Sequence, residues 1–103
     1  MKEKDQARHN LEQAVQILAV GQEDIKHRLQ VAYIHHVKHV AADALPNNLR
    51  QVLTAIHKKM TDKKPFYEGQ SAVEANVYWM KKKTAAAIAK QIWELHRAME
   101  RRP

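Results

Sequence analysis

Apolar side chains recur at steps of three and four residues through most of this chain, and this spacing limits its fold more than any other feature. Such steps place the apolar side chains on one face of an α-helix. The pattern is clearest near the middle, at Leu49, Val52, Leu53, Ile56 and Met60. No segment alternates apolar and polar residues as a half-buried strand does. The 103 residues are therefore predicted to form one all-α domain, a compact helical bundle.

Three helices are predicted in the first part of the chain, and residues that begin or stop helices mark their ends. The first covers about residues 4–20 and is followed by Gly21, where a left-handed glycine cap is common. The second begins near Asp24 and is predicted to continue until Pro46 stops it. The third follows Pro46 and carries the apolar pattern at its most regular.

A fourth helix is predicted after a loop over residues 61–70, and Ser71 and Glu74 form a capping box at its start. Its apolar stripe rotates by roughly 70° part-way, from Val73, Val77 and Met80 to Ala85, Ile88, Ile92, Leu95 and Met99. The sequence leaves two alternatives open: a break between Lys81 and Thr84, or a continuous helix with a stutter. The bundle therefore has about four helices, the last of them broken or distorted near residues 81–84.

Positive charge is concentrated in the second half of the chain. Residues 53–103 hold 11 Lys/Arg against 5 Asp/Glu, whereas residues 1–52 hold 7 against 6. A one-sided positive field attracts an acidic protein, a nucleic acid or an anionic membrane surface. No stretch approaches the ~18 uninterrupted apolar residues of a membrane span, and the chain has no cysteine. A cytoplasmic protein that does not enter a membrane is therefore expected.

Both tryptophans lie in the fourth helix among cations. If that helix is continuous, one line facing away from the core carries Trp79, Lys83, Lys90, Trp93 and Arg97, with Lys81 and Lys82 nearby in sequence. Aromatic rings between cations are typical of single-stranded nucleic-acid sites and of protein-interface hot spots. The alternative is that the tryptophans pack inside the fold and the lysines only solvate its surface.

A second basic cluster runs from the end of the third helix into the loop. It consists of His57, Lys58, Lys59, Lys63 and Lys64, and Phe66 and Tyr67 follow it. Cations at the end of a helix complement its dipole, which is a sufficient structural reason for Lys58 and Lys59. Phe66 and Tyr67 are expected to pin the loop onto the core. If the third and fourth helices pack side by side, the two basic clusters form one continuous surface.

Histidines raise the question of a metal site. His35, His39 and Asp43 are spaced four apart, which suits Zn²⁺ ligands on one helix flank. However, Lys38 adds a cation beside them and no fourth ligand is evident, so no metal is predicted. His36 lies on the core stripe, where a neutral, hydrogen-bonded histidine is expected. Without a glycine-rich phosphate loop or a paired catalytic group, neither a cofactor nor an enzymatic activity is predicted.

These patterns predict a non-enzymatic binding or regulatory protein that docks an acidic partner through the third and fourth helices. A protein partner is favoured over nucleic acid, because the cations are mostly lysines and few arginines are present to read base edges. Two alternatives stay open. One is sequence-nonspecific nucleic-acid binding, and the other is a structural subunit that contacts its assembly through Val31 and Ile34. Whether the chain forms homo-oligomers also stays open.

Overall fold

The computed structural model describes residues 3–100, and within that range it contains five α-helices and no β-strand. They are α1 (Glu3–Val20), α2 (Ile25–His35), α3 (Asn47–Thr61), α4 (Ala72–Trp79) and α5 (Lys82–Glu100). Two short 3-10 turns, Val37–His39 and Ala42–Ala44, connect α2 to α3. The all-α prediction is confirmed, and the observed bounds of α1, the start of α3 and the start of α4 closely match the predicted ones.

The helices surround one hydrophobic core. α1 packs against α2 and α5, while α3 packs against α4 and α5. The largest fully buried side chains are Leu11, Leu29, Val37, Leu45, Leu53, Ile56, Met60, Ile88, Ile92, Leu95 and Met99. Burying one such side chain contributes roughly 1.5–3 kcal/mol. Packing between helices therefore stabilises the fold more than helix propensity does.

Two helices begin at the caps that the sequence predicts. The Asp24 carboxylate accepts a hydrogen bond from the backbone N–H of His27 at 2.9 Å and caps α2. At α4, the Ser71 hydroxyl accepts from the Glu74 N–H at 3.0 Å, and the Glu74 carboxylate accepts from the Ser71 N–H at 3.0 Å. These bonds satisfy backbone donors that no helical carbonyl can reach.

The second helix is shorter than predicted. It ends at His35 instead of continuing to Pro46, and the chain passes through the two 3-10 turns before α3. Valine and histidine are weak helix formers, and the turns allow Val37, Val40 and Leu45 to enter the core. Leu45 is extended, as the residue before a proline usually is. Tertiary packing therefore overrides the three-and-four pattern in this segment.

Gly21 follows α1 as predicted, but it does not adopt the predicted left-handed conformation. A Cβ placed there would lie 2.7 Å from Cδ of Arg28 and 2.8 Å from the carbonyl oxygen of Ile17. The guanidinium of Arg28 donates to the carbonyls of Leu18 and Glu23, the latter at 2.8 Å. Glycine is therefore needed because the Arg28 side chain crosses the end of α1 and caps its last turn.

His57 connects α3 to α2 and to the turn after it. Its Nδ1 lies 2.6 Å from the Tyr33 hydroxyl, and the two rings meet edge to face at 5.6 Å. Burial lowers the pKa of His57, although a backbone hydrogen bond with Val40 opposes the shift. Burial also raises the pKa of Tyr33. Burial of His57 therefore favours its neutral form.

His36 has the environment that the sequence predicts. It is half-buried, and its Nδ1 lies 3.3 Å from Oδ1 of Asn10 on α1. Burial lowers the pKa of His36, and positive charge on His35, His9 and His39 lowers it further. A lowered pKa in the folded state means that folding favours the neutral ring.

The lowered pKa values of His36 and His57 predict that the fold loses stability in acid. This loss is expected at pH values above those at which carboxylates titrate. The stabilisation is complete above the unfolded-state pKa of about 6.5 and is lost as pH falls through the lower folded-state values. The melting temperature is therefore expected to fall between about pH 7.5 and about pH 5. Differential scanning calorimetry should show a smaller fall in His57→Gln and the smallest in the double variant with His36→Gln. An identical pH dependence in all proteins would contradict this assignment.

Candidate partner-binding surface

The fourth predicted helix is two helices, and the break lies at Met80 and Lys81. Met80 has an extended backbone (φ −70°, ψ 139°), and the Lys81 carbonyl accepts the first hydrogen bond of α5, from Ala85 at 3.0 Å. The break thus falls at the start of the predicted interval, and Thr84 lies inside α5. It lets Val77 on α4 and Ala85 on α5 both face the core despite their different phases. Consequently, the predicted single line from Trp79 to Arg97 does not exist.

Three aromatic side chains form a cluster on the surface beside this break. Phe66, Tyr78 and Trp79, hereafter the aromatic cluster, are 53 %, 67 % and 59 % exposed. Their ring centroids lie 5.3 Å apart for Tyr78 and Trp79, 5.8 Å for Phe66 and Trp79, and 6.4 Å for Phe66 and Tyr78. All three pairs meet edge to face, and each such pair stabilises by about 0.5–1.5 kcal/mol. The rings support one another while exposing most of their area.

The loop that carries Phe66 is fixed by the buried side chain of Asn76. Oδ1 of Asn76 accepts from the Lys63 N–H at 3.2 Å, and Nδ2 donates to the Lys63 carbonyl at 3.2 Å and the Ala72 carbonyl at 2.7 Å. Further along, the Phe66 N–H donates to Oε1 of Gln70 at 2.7 Å. These bonds place Phe66 over α4.

The prediction that Phe66 and Tyr67 pin the loop onto the core is therefore wrong. Phe66 packs on Tyr78 and Trp79 at the surface instead of pinning the loop to the core, and Tyr67 is 63 % exposed. Tyr78 was missed as a candidate, although one signal was present. Tyr78 and Trp79 are adjacent large aromatics at the end of a helix, where consecutive side chains point about 100° apart and two large rings do not fit one narrow apolar stripe.

A groove of about 270 Å³ lies beside Trp79, between the end of α3 and the junction of α4 and α5. It is lined by Lys59, Asp62, Lys63, Asn76, Trp79, Met80 and Thr84. The structure thus brings Lys59 and Lys63 of the second basic cluster together with Trp79. At this groove, Trp79 is the member of the predicted fourth-helix line that meets the second basic cluster.

Five other predicted cations are exposed near these elements without lining the groove: Lys58, Lys64, Lys81, Lys82 and Lys83. Lys82 faces α2 instead. A hydrogen bond from the His27 backbone lowers the pKa of Asp24, and the charge of Lys82 lowers it further. On the same side, Nζ of Lys26 donates to the Tyr78 carbonyl at 3.0 Å and holds the end of α4 against α2.

Trp93 belongs to a different surface. It lines a groove of about 240 Å³ between α1 and α5 with Val15, Leu18, Ala19, Ala89 and Lys90. The ring is 43 % exposed, and the guanidinium carbon of Arg97 lies 4.8 Å from its centroid, which is a cation–π distance. Lys90, Trp93 and Arg97 are therefore together, as predicted, but they are separate from the aromatic cluster.

The exposure of Trp93 gives a direct test of its role in folding. Trp93→Ala is expected to lower the free energy of unfolding by less than about 1 kcal/mol, because the ring is partly exposed and its loss leaves no closed cavity. Ile92→Ala, one residue earlier and fully buried, should cost about 2–5 kcal/mol. Urea denaturation of both variants measures the difference. Equal losses would mean that Trp93 is a core residue.

The three residues considered as metal ligands do not share a helix flank. His35 ends α2, whereas His39 and Asp43 lie in the two 3-10 turns, and all three are exposed. Among the residues that the structure describes, no three histidine or carboxylate side chains are grouped as metal ligands. Across residues 3–100, none of the helices combines the length and apolar character that crossing a membrane requires.

Comparison with known proteins adds no relative. No protein-family model, no curated protein and no solved structure shows a significant match to this chain. The function of the chain is therefore inferred from the chemistry of its two exposed aromatic surfaces and the charges around them. Of these, the aromatic cluster has the larger exposed aromatic area, because it contains three exposed rings where the other surface contains one.

Proposed function

We propose that this chain is a non-enzymatic binding or regulatory protein that docks an acidic protein partner through the aromatic cluster and the lysines around it. The observation that carries the proposal is the packing of Phe66, Tyr78 and Trp79 into a preformed patch that remains more than half exposed. Isolated exposed apolar residues are ordinary, but contiguous aromatic patches commonly mark interfaces. Tyrosine and tryptophan are also the residues that most often dominate binding energy.

Charge supports an acidic partner. The chain has a formal net charge of +7, and its second half carries most of the excess. Lys59 and Lys63 line the groove at Trp79 itself. A partner with carboxylates at the matching positions would be attracted over a distance and would meet complementary charges on contact.

Ring geometry favours protein over nucleic acid as that partner. The planes of the three rings are inclined by 72°, 81° and 88° to one another. Consecutive bases stack on open ring faces, whereas in an edge-to-face cluster neighbouring rings cover part of those faces. Apolar side chains pack against such a cluster without a planar requirement. Nucleic-acid binding through the lysines is the second candidate, and it would show little sequence preference.

The structural-subunit alternative has less support. Val31 and Ile34, the residues expected to form its contact, are both half-buried, and Ile34 packs against the core of its own chain. Of the six exposed large apolar side chains among the described residues, three form the aromatic cluster and none is Val31 or Ile34. The aromatic cluster is therefore a better candidate for an assembly contact than Val31 and Ile34.

Site-specific photo-crosslinking in cells tests the proposal. p-Benzoylphenylalanine in place of Tyr78 is expected to capture a protein that survives nuclease treatment. The same probe in place of Gln16, an exposed residue on α1, is the matched control and should capture little. Adducts that disappear with nuclease would support the nucleic-acid candidate instead. Equal capture at both positions would show that the partner does not use the aromatic cluster.

A further inference from the structure

The groove beside Trp79 is sized for a single side chain. Its volume of about 270 Å³ lies just below the roughly 300–1,000 Å³ of pockets that bind whole small molecules. Trp79 and Met80 supply its apolar surface, and Met80 is half-buried against the core. An aliphatic or aromatic side chain that enters the groove would leave water and contact both.

The rim of the groove carries two lysines that form no ion pair among the described residues. Lys59 and Lys63 line the groove with one carboxylate, Asp62. Within the described range the ion pair observed is His96 with Glu100, so neither lysine is paired with Asp62 or with another acidic residue. Lys59 lies in the last turn of α3 and Lys63 in the loop after it, both exposed. The two ammonium groups are available to acidic groups of a partner.

The groove is also preformed. Asn76, which is buried to 5 % exposure, uses both its amide oxygen and its amide nitrogen on backbone groups of the chain. It therefore fixes Lys63 relative to α4 before any partner arrives. Binding to a fixed groove avoids the entropy of ordering a loop, which favours affinity for a short segment.

We infer that this groove receives one bulky apolar side chain from an acidic segment of the partner, with neighbouring carboxylates of that segment paired to Lys59 and Lys63. The inference rests on the proposed function and specifies the ligand of the same surface. It predicts that recognition needs both features of the segment. A segment with acidic residues only would pair with the lysines but leave Trp79 and Met80 exposed to water. A segment with only the apolar residue would leave the lysines unpaired.

Two synthetic peptides separate these features. One is a fluorescein-labelled nonapeptide of acidic residues with a central phenylalanine, and the other has serine at the centre. Fluorescence anisotropy is expected to show at least about tenfold tighter binding of the phenylalanine peptide, equivalent to about 1.4 kcal/mol. Equal affinities for the two peptides, or no binding of either at millimolar concentration, would overturn the inference.

Tryptophan emission gives a second readout. In Trp93→Phe the remaining tryptophan is Trp79, so a blue shift reports an apolar contact at the groove. The unlabelled phenylalanine peptide is expected to shift the emission, and the serine peptide is expected to leave it nearly unchanged. A shift of equal size with both peptides would contradict insertion of the apolar side chain.

Filling the groove provides the matched pair of variants. Thr84 lines the groove and Ala87 does not, although both are exposed on the first turns of α5. Thr84→Phe is expected to abolish the preference, so that the two peptides bind with about equal affinity. Ala87→Phe should keep the preference of about tenfold for the phenylalanine peptide. Circular dichroism checks that both variants fold. Retention of the preference in folded Thr84→Phe would place the contact elsewhere.

Failure of the inference and failure of the proposed function give different results. If both peptides bind equally and Trp79→Ala weakens both, the acidic protein-binding function stands and the apolar anchor is wrong. If neither peptide binds and labelled oligothymidylate does, the proposed function itself is wrong. The peptide pair and the oligonucleotide are therefore measured under the same salt conditions.

Discussion

Trp79→Ala is expected to weaken binding of the acidic phenylalanine peptide at least about tenfold, which corresponds to about 1.4 kcal/mol or more. The substitution removes one wall of the groove and two of the three edge-to-face contacts in the aromatic cluster. The free energy of unfolding should fall by about 1–3 kcal/mol, because each of the two lost contacts contributes about 0.5–1.5 kcal/mol. Anisotropy titration and urea denaturation measure the two quantities.

Trp93→Ala is the matched control for that experiment, because it removes the other exposed tryptophan from a separate groove. Its affinity for the peptide is expected to stay within about twofold of the parent. If Trp93→Ala weakens binding and Trp79→Ala does not, the partner docks between α1 and α5. That result would support Trp93, which the sequence also predicts as a binding residue, as the contact with the partner.

Asn76→Leu is expected to lower the free energy of unfolding by about 1–3 kcal/mol and to release the loop that carries Phe66. Leucine has nearly the shape of asparagine but leaves the N–H and C=O of Lys63 without their partners. Amide exchange at Lys63 and Phe66 should accelerate far more than exchange within α1. Affinity for the peptide should fall as well, because the rim of the groove is no longer fixed.

Asn76→Asp is the control that keeps one of the two contacts with the loop. Its carboxylate can still accept from the Lys63 N–H, but it cannot donate to the Lys63 carbonyl. Its second carboxylate oxygen would face the carbonyls of Lys63 and Ala72 in a buried site, so exchange in the loop is expected to accelerate at least as much as in Asn76→Leu. If Asn76→Leu leaves exchange in the loop unchanged, the loop is held by other contacts, such as that between Phe66 and Gln70.

Local signals predict the parts of this fold that depend on local chemistry. The starts of α2 and α4 follow from Asp24 and Ser71, whose side chains bond to backbone groups only three residues away. The end of α2 could not be predicted in this way. It depends on how Val37 and Val40 reach a core built from distant helices, and this gain outweighs the helical alternative.

The candidate site also combines features that the local sequence predicts with features that depend on distant packing. The basic and aromatic character of the region is visible in the composition around Lys59, Lys63 and Trp79. The meeting of Phe66 with Trp79 is not, because it depends on the path of an irregular loop. That path is set by Asn76, a polar residue in the middle of an apolar helix, whose burial only the folded structure reveals.

The groove combines lysines at its rim with the apolar surface of Trp79 and Met80, and this arrangement has a kinetic consequence. Exposed charges act over a distance and govern how often partners meet, whereas close apolar contacts govern how long they stay together. Added salt should therefore slow association and leave the lifetime of the complex nearly constant. Loss of the Trp79 ring should shorten that lifetime and leave association almost unchanged. The two halves of this surface thus control separate rates, and one can change without the other.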